Sequence, residues 1–280
     1  MIIAIAGDSN QSIGSGKDTV GRIIQYLFWK KRVETENLSF HYTLTDFLKP
    51  NFCADKLANW EVKKFAEAPK NIVCLLTGCK RADLENEDFK NQELGEEWWY
   101  YKCVDGFSWC SITDKTTKKA VKHLPSWEIA SYLDYKDCDV SDSIELIKPT
   151  YRTFLQRLGT EVGRDIVHPN IWCTSLMKDY SNGKVETTDT HYILKHEDSW
   201  IITDLRFPNE YKAVKDRKGL CIKVTRTYEN ACKNIPDIYA HSSETALNNH
   251  EFDYIIENNG TIGDLVVKVE EFLIKFNLLD

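Results

Sequence analysis

Apolar positions change period from stretch to stretch along this chain, and the changes mark out its elements. Ile2, Ile3, Ala4, Ile5 and Ala6 form a run that is apolar on both faces and too short for a helix. That pattern belongs to a strand buried inside a parallel sheet. Val20, Ile23, Ile24, Leu27 and Phe28 then recur at i, i+3, i+4, i+7 and i+8, which predicts a helix over about 17–31. Residues 33–58 are mixed and broken by Pro50. A short strand is predicted over 60–65 and a helix over 66–77, with Pro69 inside its first turn and Gly78 as its stop.

Between 95 and 148 the periodicity dissolves. Trp98, Trp99, Tyr100, Tyr101, Phe107 and Trp109 alternate with polar residues around Asp105-Gly106, the pattern of a β-hairpin. These aromatics would pack a small excursion against the main body or stack a nucleobase, and packing is the commoner role. The basic stretch 115–122 reads as a solvated tip. Order returns at Tyr151, where Phe154, Leu155, Leu158 and Val162 form a helical stripe. Arg152, Gln156 and Thr160 follow at steps of four on a neighbouring face.

A helix is predicted over about 170–180, then a loop or loose hairpin to 198. Trp200 to Thr203 is a second buried strand, ending at Asp204. Pro208 opens a helix whose far end carries Lys215, Arg217 and Lys218 and which Gly219 closes. Strands follow over 220–225 and 252–257, separated by a polar loop and a short helix over 243–248. Thr261 and Asp264 form a capping box for a strongly amphipathic last helix, striped by Ile262, Leu265, Val266, Val269, Phe272, Leu273 and Phe276. Strands near 2, 61, 200, 220 and 254, alternating with helices, define an α/β fold on a central parallel sheet. Ligands of such sheets bind at the carboxyl ends of the strands, where Lys17 and Asp204 both fall.

The turn after the first strand carries the clearest chemistry. Gly14-Ser15-Gly16-Lys17 joins a strand to a helix N-terminus, where inward backbone N–H groups, the helix dipole and a lysine together cradle phosphate. The loop departs from the usual Walker A spacing. Gln11 stands where the first glycine would fall, so Gly7 becomes the pivot and the loop is four residues longer. Asp18 replaces the usual Ser or Thr and is expected to hold Mg²⁺, directly or through water. Thr19 behind it would donate to an inner phosphate. Asp204, an acid ending an apolar strand, sits at the Walker B position, with Arg206 leaving the same strand end and Glu210 a turn further on.

Composition narrows the partners. With 280 residues, 42% of them hydrophobic, the chain can bury one large core or two modest ones. A net charge of −7 argues against a general nucleic-acid binder. No apolar run reaches the ~20 residues needed to cross a bilayer. Nine cysteines occur without C-x-x-C or zinc spacing. With no signal-peptide pattern either, they are expected to be reduced thiols in a cytoplasm.

Taken in order, GSGKDT, FAEAPK at 65–70, DFK at 88–90, YRTFLQRLGTE at 151–161, ITDLRFPNE at 202–210 and HSSE at 241–244 resemble the phage-type deoxynucleoside monophosphate kinases. The similarity covers roughly 1–32, 60–95 and 150–280, leaving 33–58 and 95–148 as insertions. The resemblance implies a single P-loop kinase domain over 1–280, three-layered, with about five parallel strands in the order 2-3-1-4-5. It implies ATP and Mg²⁺ as cofactors, transfer of the γ-phosphoryl group to a deoxynucleoside monophosphate, and a host cytoplasm as the place of action. ATP would lie on Gly14, Ser15, Gly16, Lys17, Asp18 and Thr19. The monophosphate would lie on Lys70, Lys90, Arg152, Gln156, Thr160, Trp172, Asp204, Arg206 and Glu210. Lys17, Asp204 and Arg206 would act in catalysis, with Arg226 or Arg164 a candidate transition-state arginine. Neither nucleic acid nor membrane is an expected partner, and a homodimer is left open. Competing readings are a small-acceptor kinase of the dephospho-coenzyme A or phosphomevalonate type, and a P-loop ATPase.

Overall fold

The computed structural model describes residues 1–7, 14–39, 41–49, 52–104, 110–181, 185–187, 192–194, 198–226, 246–247 and 249–279. The chain divides into two compact units, one made of Met1–Ala68 with His168–Asp280 and the other of Pro69–Val167.

The first unit is built on five parallel strands: β1 (Ile2–Gly7), β2 (Glu61–Lys63), β3 (Trp200–Leu205), β4 (Leu220–Thr225) and β5 (Tyr254–Glu257). They lie in the order β2-β3-β1-β4-β5. The principal helices along the chain are α1 (Lys17–Glu36), α2 (Glu67–Thr77), α3 (Tyr151–Gln156), α4 (Ile171–Met177), α5 (Pro208–Lys215) and α6 (Ile262–Lys275). Side chains of β1 alternate between two apolar layers, as a period of two requires. Ile3 and Ile5 pack with Val20, Ile23, Ile24 and Leu27 of α1 and with Leu265, Val269, Phe272 and Leu273 of α6. Ile2, Ala4 and Ala6 join Cys173 and Met177 of α4 and Val214 of α5 on the other face. Both faces of the sheet are therefore covered, which is why the run 2–6 carries no polar position.

Helix α1 runs past the predicted end to Glu36 and stops at Asn37, whose φ of 50° is left-handed. The extension has a partner. Trp29, Phe47 and Ala54 form a separate buried cluster with Val33 and Phe52 against it. Residues 33–58 thus fold locally, through the short helices Leu44–Phe47 and Asp55–Ala58. Near Gly21, α1 rides close on β3, since a Cβ there would come within 2.8 Å of the Thr203 methyl carbon. Strands Val185–Thr187 and Tyr192–Leu194 pair antiparallel as the loose hairpin. The predicted short helix at 243–248 falls mostly outside the described residues.

The second unit holds two three-stranded antiparallel sheets. In one, Tyr100–Cys103 lies between Ile129–Ser131 and Ile144–Ile147. In the other, Cys110–Asp114 lies between Ala120–Leu124 and Cys138–Val140. The hairpin expected around Asp105-Gly106 is therefore corrected: its two flanking strands pair with other partners, and the turn itself lies outside the described residues. Reduced thiols throughout is also corrected. Cys103 and Cys110 form a disulfide with Cα atoms 6.2 Å apart, both buried in the cluster of Tyr101, Ile112, Leu124, Ala130 and Ile144. Within this unit Trp98 packs on Phe154, and both Trp99 and Tyr101 pack on Tyr132, while Phe107 and Trp109 lie outside the described residues. Helix α3 passes into a π-helix over Arg157–Val167. Arg152 and Gln156 keep their common α-helical face, but Thr160 lies beyond the change of pitch and is no longer one step along it.

Candidate active site

The glycine turn closes onto α1 through two residues. Gly16 is the N-cap, with a φ of 93° that favours glycine, and among the described residues no side chain caps the helix. Ser15 beside it is buried. Its carbonyl accepts a hydrogen bond at 2.9 Å from the side-chain amide of Asn258, which follows β5. Gly7 approaches the same turn, where an added Cβ would meet the Ser15 hydroxyl at 2.5 Å. Residues 8–13, between these glycines, lie outside the described residues. At a helix start of this kind the first N–H groups and the dipole favour an anion.

Charged groups gather around that point, all within the first unit. Asp18 Oδ1 accepts a hydrogen bond from the Thr203 hydroxyl at 2.7 Å and pairs with Lys64 Nζ at 3.2 Å, while Oδ2 lies 4.0 Å from Lys17 Nζ. Burial pushes the Asp18 carboxyl up, but Lys64, Lys17 and the Thr203 hydroxyl together outweigh it and hold the group below its ordinary value. The Lys17 ammonium is pushed below its ordinary value, first by burial; Arg206 and Lys64 act with burial and Asp18 and Asp204 against it. Among the described residues, three cations thus surround one exposed carboxylate and one buried one. The surplus suits a polyanion.

Asp204 is 8% exposed and both its oxygens are engaged. Oδ1 accepts the N–H of Phe65 and Oδ2 that of Ala66, each at 2.9 Å. These two amides lie in the FAEAPK segment just before α2, so the acid at the end of β3 locks the chain leaving β2. Glu210, almost fully buried, turns back to accept the N–H groups of Arg206 and Phe207 at 2.8 and 3.0 Å. It shapes the turn that presents Arg206, whose side chain is exposed. Trp172 is 4% exposed on α4. Arg226 directly follows β4 in this unit, and Arg164 lies in the π-helix of the other.

The remaining expected acceptor residues lie in the second unit, where Lys70, Lys90 and Arg152 fall in two ion-paired groups. Lys70 and Arg81 share Glu85, at 2.7 and 2.5 Å. Lys90 and Arg152 share Glu87, and Arg152 Nε also donates to Asn91 Oδ1 at 2.8 Å. The Lys90 hydrogen bond is the main cause that holds Glu87 below its ordinary value, aided by Arg152 and opposed by burial. Gln156 and Thr160 are half-buried nearby in sequence.

Sequence reasoning missed Lys64, Thr203 and Asn258. Each lies at or just beyond the carboxyl end of a sheet strand, the place where polar residues of such folds face ligands, and that position alone could have flagged them. As for a metal, Asp18 offers one partly exposed carboxylate beside the uncapped helix. Among the described residues no group of three or more His, Cys, Asp or Glu could hold an ion. This donor set fits Mg²⁺ carried on nucleotide phosphates, which needs only one or two carboxylates, and does not fit a closed protein cage.

The geometry defines an α/β protein on a five-stranded parallel sheet, with a cluster of charged residues at the start of α1. Residues 98–269, more than half of the chain, match the deoxynucleotide monophosphate kinase family, and the chain belongs to it. It is 26% identical over 146 residues to the deoxynucleotide monophosphate kinase of Escherichia phage RB69. That match covers 51% of this chain and 54% of the relative, so the chain spans about half the length of the curated relative it matches. The family match begins downstream of the glycine turn and of Lys64.

Proposed function

We propose that this protein transfers the γ-phosphoryl group of ATP to a deoxynucleoside 5′-monophosphate. Both units would serve one kinase domain, with 33–58 and 95–148 as insertions. The observation that carries the reading is the convergence of Lys17, Arg206 and Asp18 on an uncapped helix N-terminus, in a chain of this family. The sheet order β2-β3-β1-β4-β5, which is the order expected of P-loop kinases, supports it.

Phosphoryl transfer asks for alignment and charge neutralisation more than covalent chemistry. Gly14, Ser15, Gly16 and Thr19 would present backbone and hydroxyl donors to ATP phosphates, and Lys17 would draw charge from the transferring group. Asp18 would hold Mg²⁺, which when bound would supply charge neutralisation for the phosphates. Arg206 would take the acceptor phosphate; Lys70, Lys90 and Arg152, now paired with Glu85 and Glu87, are the further candidate ligands for it. Gln156, Thr160 and Trp172 would complete the acceptor side. Since the acceptor oxygen is already anionic, no strong base is needed. Asp204 and Glu210 act by fixing the backbone on either side of the cradle.

Incubation with ATP and Mg²⁺, alone and with each common deoxy- and ribonucleoside monophosphate, tests the proposal. Without acceptor, ADP should form very slowly, because such kinases keep water from the γ-phosphate. A suitable deoxynucleotide should raise the rate by several orders of magnitude and give its diphosphate one-for-one with ADP. Vigorous hydrolysis without acceptor would favour an ATPase. Silence across the panel would point to a non-nucleotide acceptor.

A further inference from the structure

Lys64 stands outside every motif that marked the phosphate cradle, yet it is built into it. It is the residue after β2, and the N–H groups of the next two residues, Phe65 and Ala66, are both clamped by Asp204. Its backbone position is thereby fixed against β3. Its ammonium reaches Asp18 Oδ1 at 3.2 Å, on the oxygen that also takes the Thr203 hydroxyl at 2.7 Å. Asp18 is the second residue of α1, one place after Lys17. One carboxylate oxygen is thus shared between a β2 lysine and a β3 hydroxyl at the mouth of the turn.

We infer that Lys64 is a second phosphate-binding lysine of the nucleotide site, held on Asp18 until a polyphosphate draws it off. The inference rests on the kinase reading for the identity of the nucleotide but on geometry for the anion. The chemistry has two parts. Among the described residues Asp18 is the carboxylate suited to a nucleotide-borne cation, and a cation arriving there competes with Lys64 for the same oxygen. Released by that competition, the lysine lies within a side-chain swing of the N-terminal amides of α1, where phosphate oxygens would gather. A compact, rotatable ammonium suits such an exchange better than a planar guanidinium committed to one fork. Lys64 then serves two roles, counter-ion for Asp18 and ligand for phosphate.

Inorganic tripolyphosphate, without metal and without acceptor, separates this role from a merely structural ion pair. The full chain and its Lys64→Met, Lys64→Arg, Asp18→Asn and double variants would be titrated by calorimetry, with melting temperatures as a check on folding. Lys64→Met should weaken tripolyphosphate binding about 10- to 100-fold, the range of one charge-assisted contact, and Lys64→Arg should recover most of it. Asp18→Asn alone should tighten metal-free binding by removing the carboxylate that Lys64 pairs with. In the Asp18→Asn background Lys64→Met should still weaken it. If Lys64 only braces Asp18, Lys64→Met has no effect in that background, and the inference is overturned. It is equally overturned if Lys64→Met binds tripolyphosphate and turns over like the parent chain. Lys64-dependent binding in a protein that phosphorylates no nucleotide would keep this inference and discard the kinase reading.

Discussion

The side-chain amide of Asn258 donates to the carbonyl oxygen of Ser15 at 2.9 Å, joining residues 243 positions apart. Asn258 is itself buried, and its backbone N–H reaches Thr225 at the end of β4. The last strand of the sheet therefore fixes the turn that follows the first. Gly16 lies beneath this contact, and a Cβ there would come within 2.4 Å of Asn258 Nδ2.

Two substitutions separate the parts of that arrangement. Asn258→Ala removes the donor and leaves a buried carbonyl unpaired, which should cost about 1–3 kcal/mol in stability and weaken ATP binding. Gly16→Ala adds both the clash and a strained left-handed residue, so it should weaken ATP binding more than Asn258→Ala does. Urea denaturation and ATP titration check both. Equal ATP affinity in the parent and both variants would show that the turn does not hold nucleotide.

Asp204→Asn tests the clamp on the FAEAPK segment. A carboxylate accepts from both Phe65 and Ala66, whereas an amide can accept from one and must set its own NH₂ against the other. The loss should be about 1.5–3 kcal/mol, the scale of a hydrogen bond to a charged group. Hydrogen exchange should quicken at the Phe65 and Ala66 amides while amides in β1 stay protected. Unchanged exchange at both residues would contradict the clamp.

Much of this was legible along the chain because local patterns decided it. The run 2–6 is apolar at every position since β1 is covered on both faces, and Trp200 to Thr203 is buried for the same reason. The Thr261–Asp264 capping box starts α6 where its spacing says it should. Lys17 and Asp18 could be found because glycine, lysine and helix onset are consecutive. Lys64, Thr203 and Asn258 could not be found in that way. Their meaning lies in partners supplied by sheet order, and no local pattern encodes which strand end meets which. Glu210 and Asp204 were recognisable as important acids, but only their backbone partners reveal that both brace turns. The π-helix beyond Gln156 was equally hidden, because an apolar stripe at Phe154, Leu155 and Leu158 suits either pitch over so short a span.

In the second unit, Arg152 shares Glu87 with Lys90 and is steadied by Asn91, and it is proposed to bind the acceptor. Arg152→Ala should weaken monophosphate binding by about 1.5–3 kcal/mol, the scale of a charge-assisted contact, and leave ATP affinity nearly unchanged. Arg152→Lys should recover only part of the loss, because an ammonium cannot replace the planar fork. Calorimetry with each ligand separately gives the comparison. Equal weakening for ATP and monophosphate would remove Arg152 from the acceptor site.

The lowered proton affinity of Lys17 makes a pH-dependent prediction whose sign can be worked through. Burial is its main cause, with Arg206 and Lys64 acting alongside against Asp18 and Asp204. Between the lowered value and the ordinary 10.5, the unfolded chain holds more protons than the folded one, so this group's contribution to stability rises with pH across that window. Phosphate binding runs the opposite way, because only the ammonium attracts the anion. A bound phosphate favours the charged form and raises its proton affinity again. ATP binding on the alkaline side should therefore take up a proton, measurable by calorimetry in buffers of different ionisation heat. The alkaline limb of kcat/KM for ATP should lie below 10.5, and that of kcat at higher pH than the limb of kcat/KM. Lys17→Ala should abolish the proton uptake and lower turnover by about 10²–10³ with little change in folding. Proton uptake that persists in Lys17→Ala would assign the titration to another group, and near-normal turnover in that variant would remove Lys17 from the reaction.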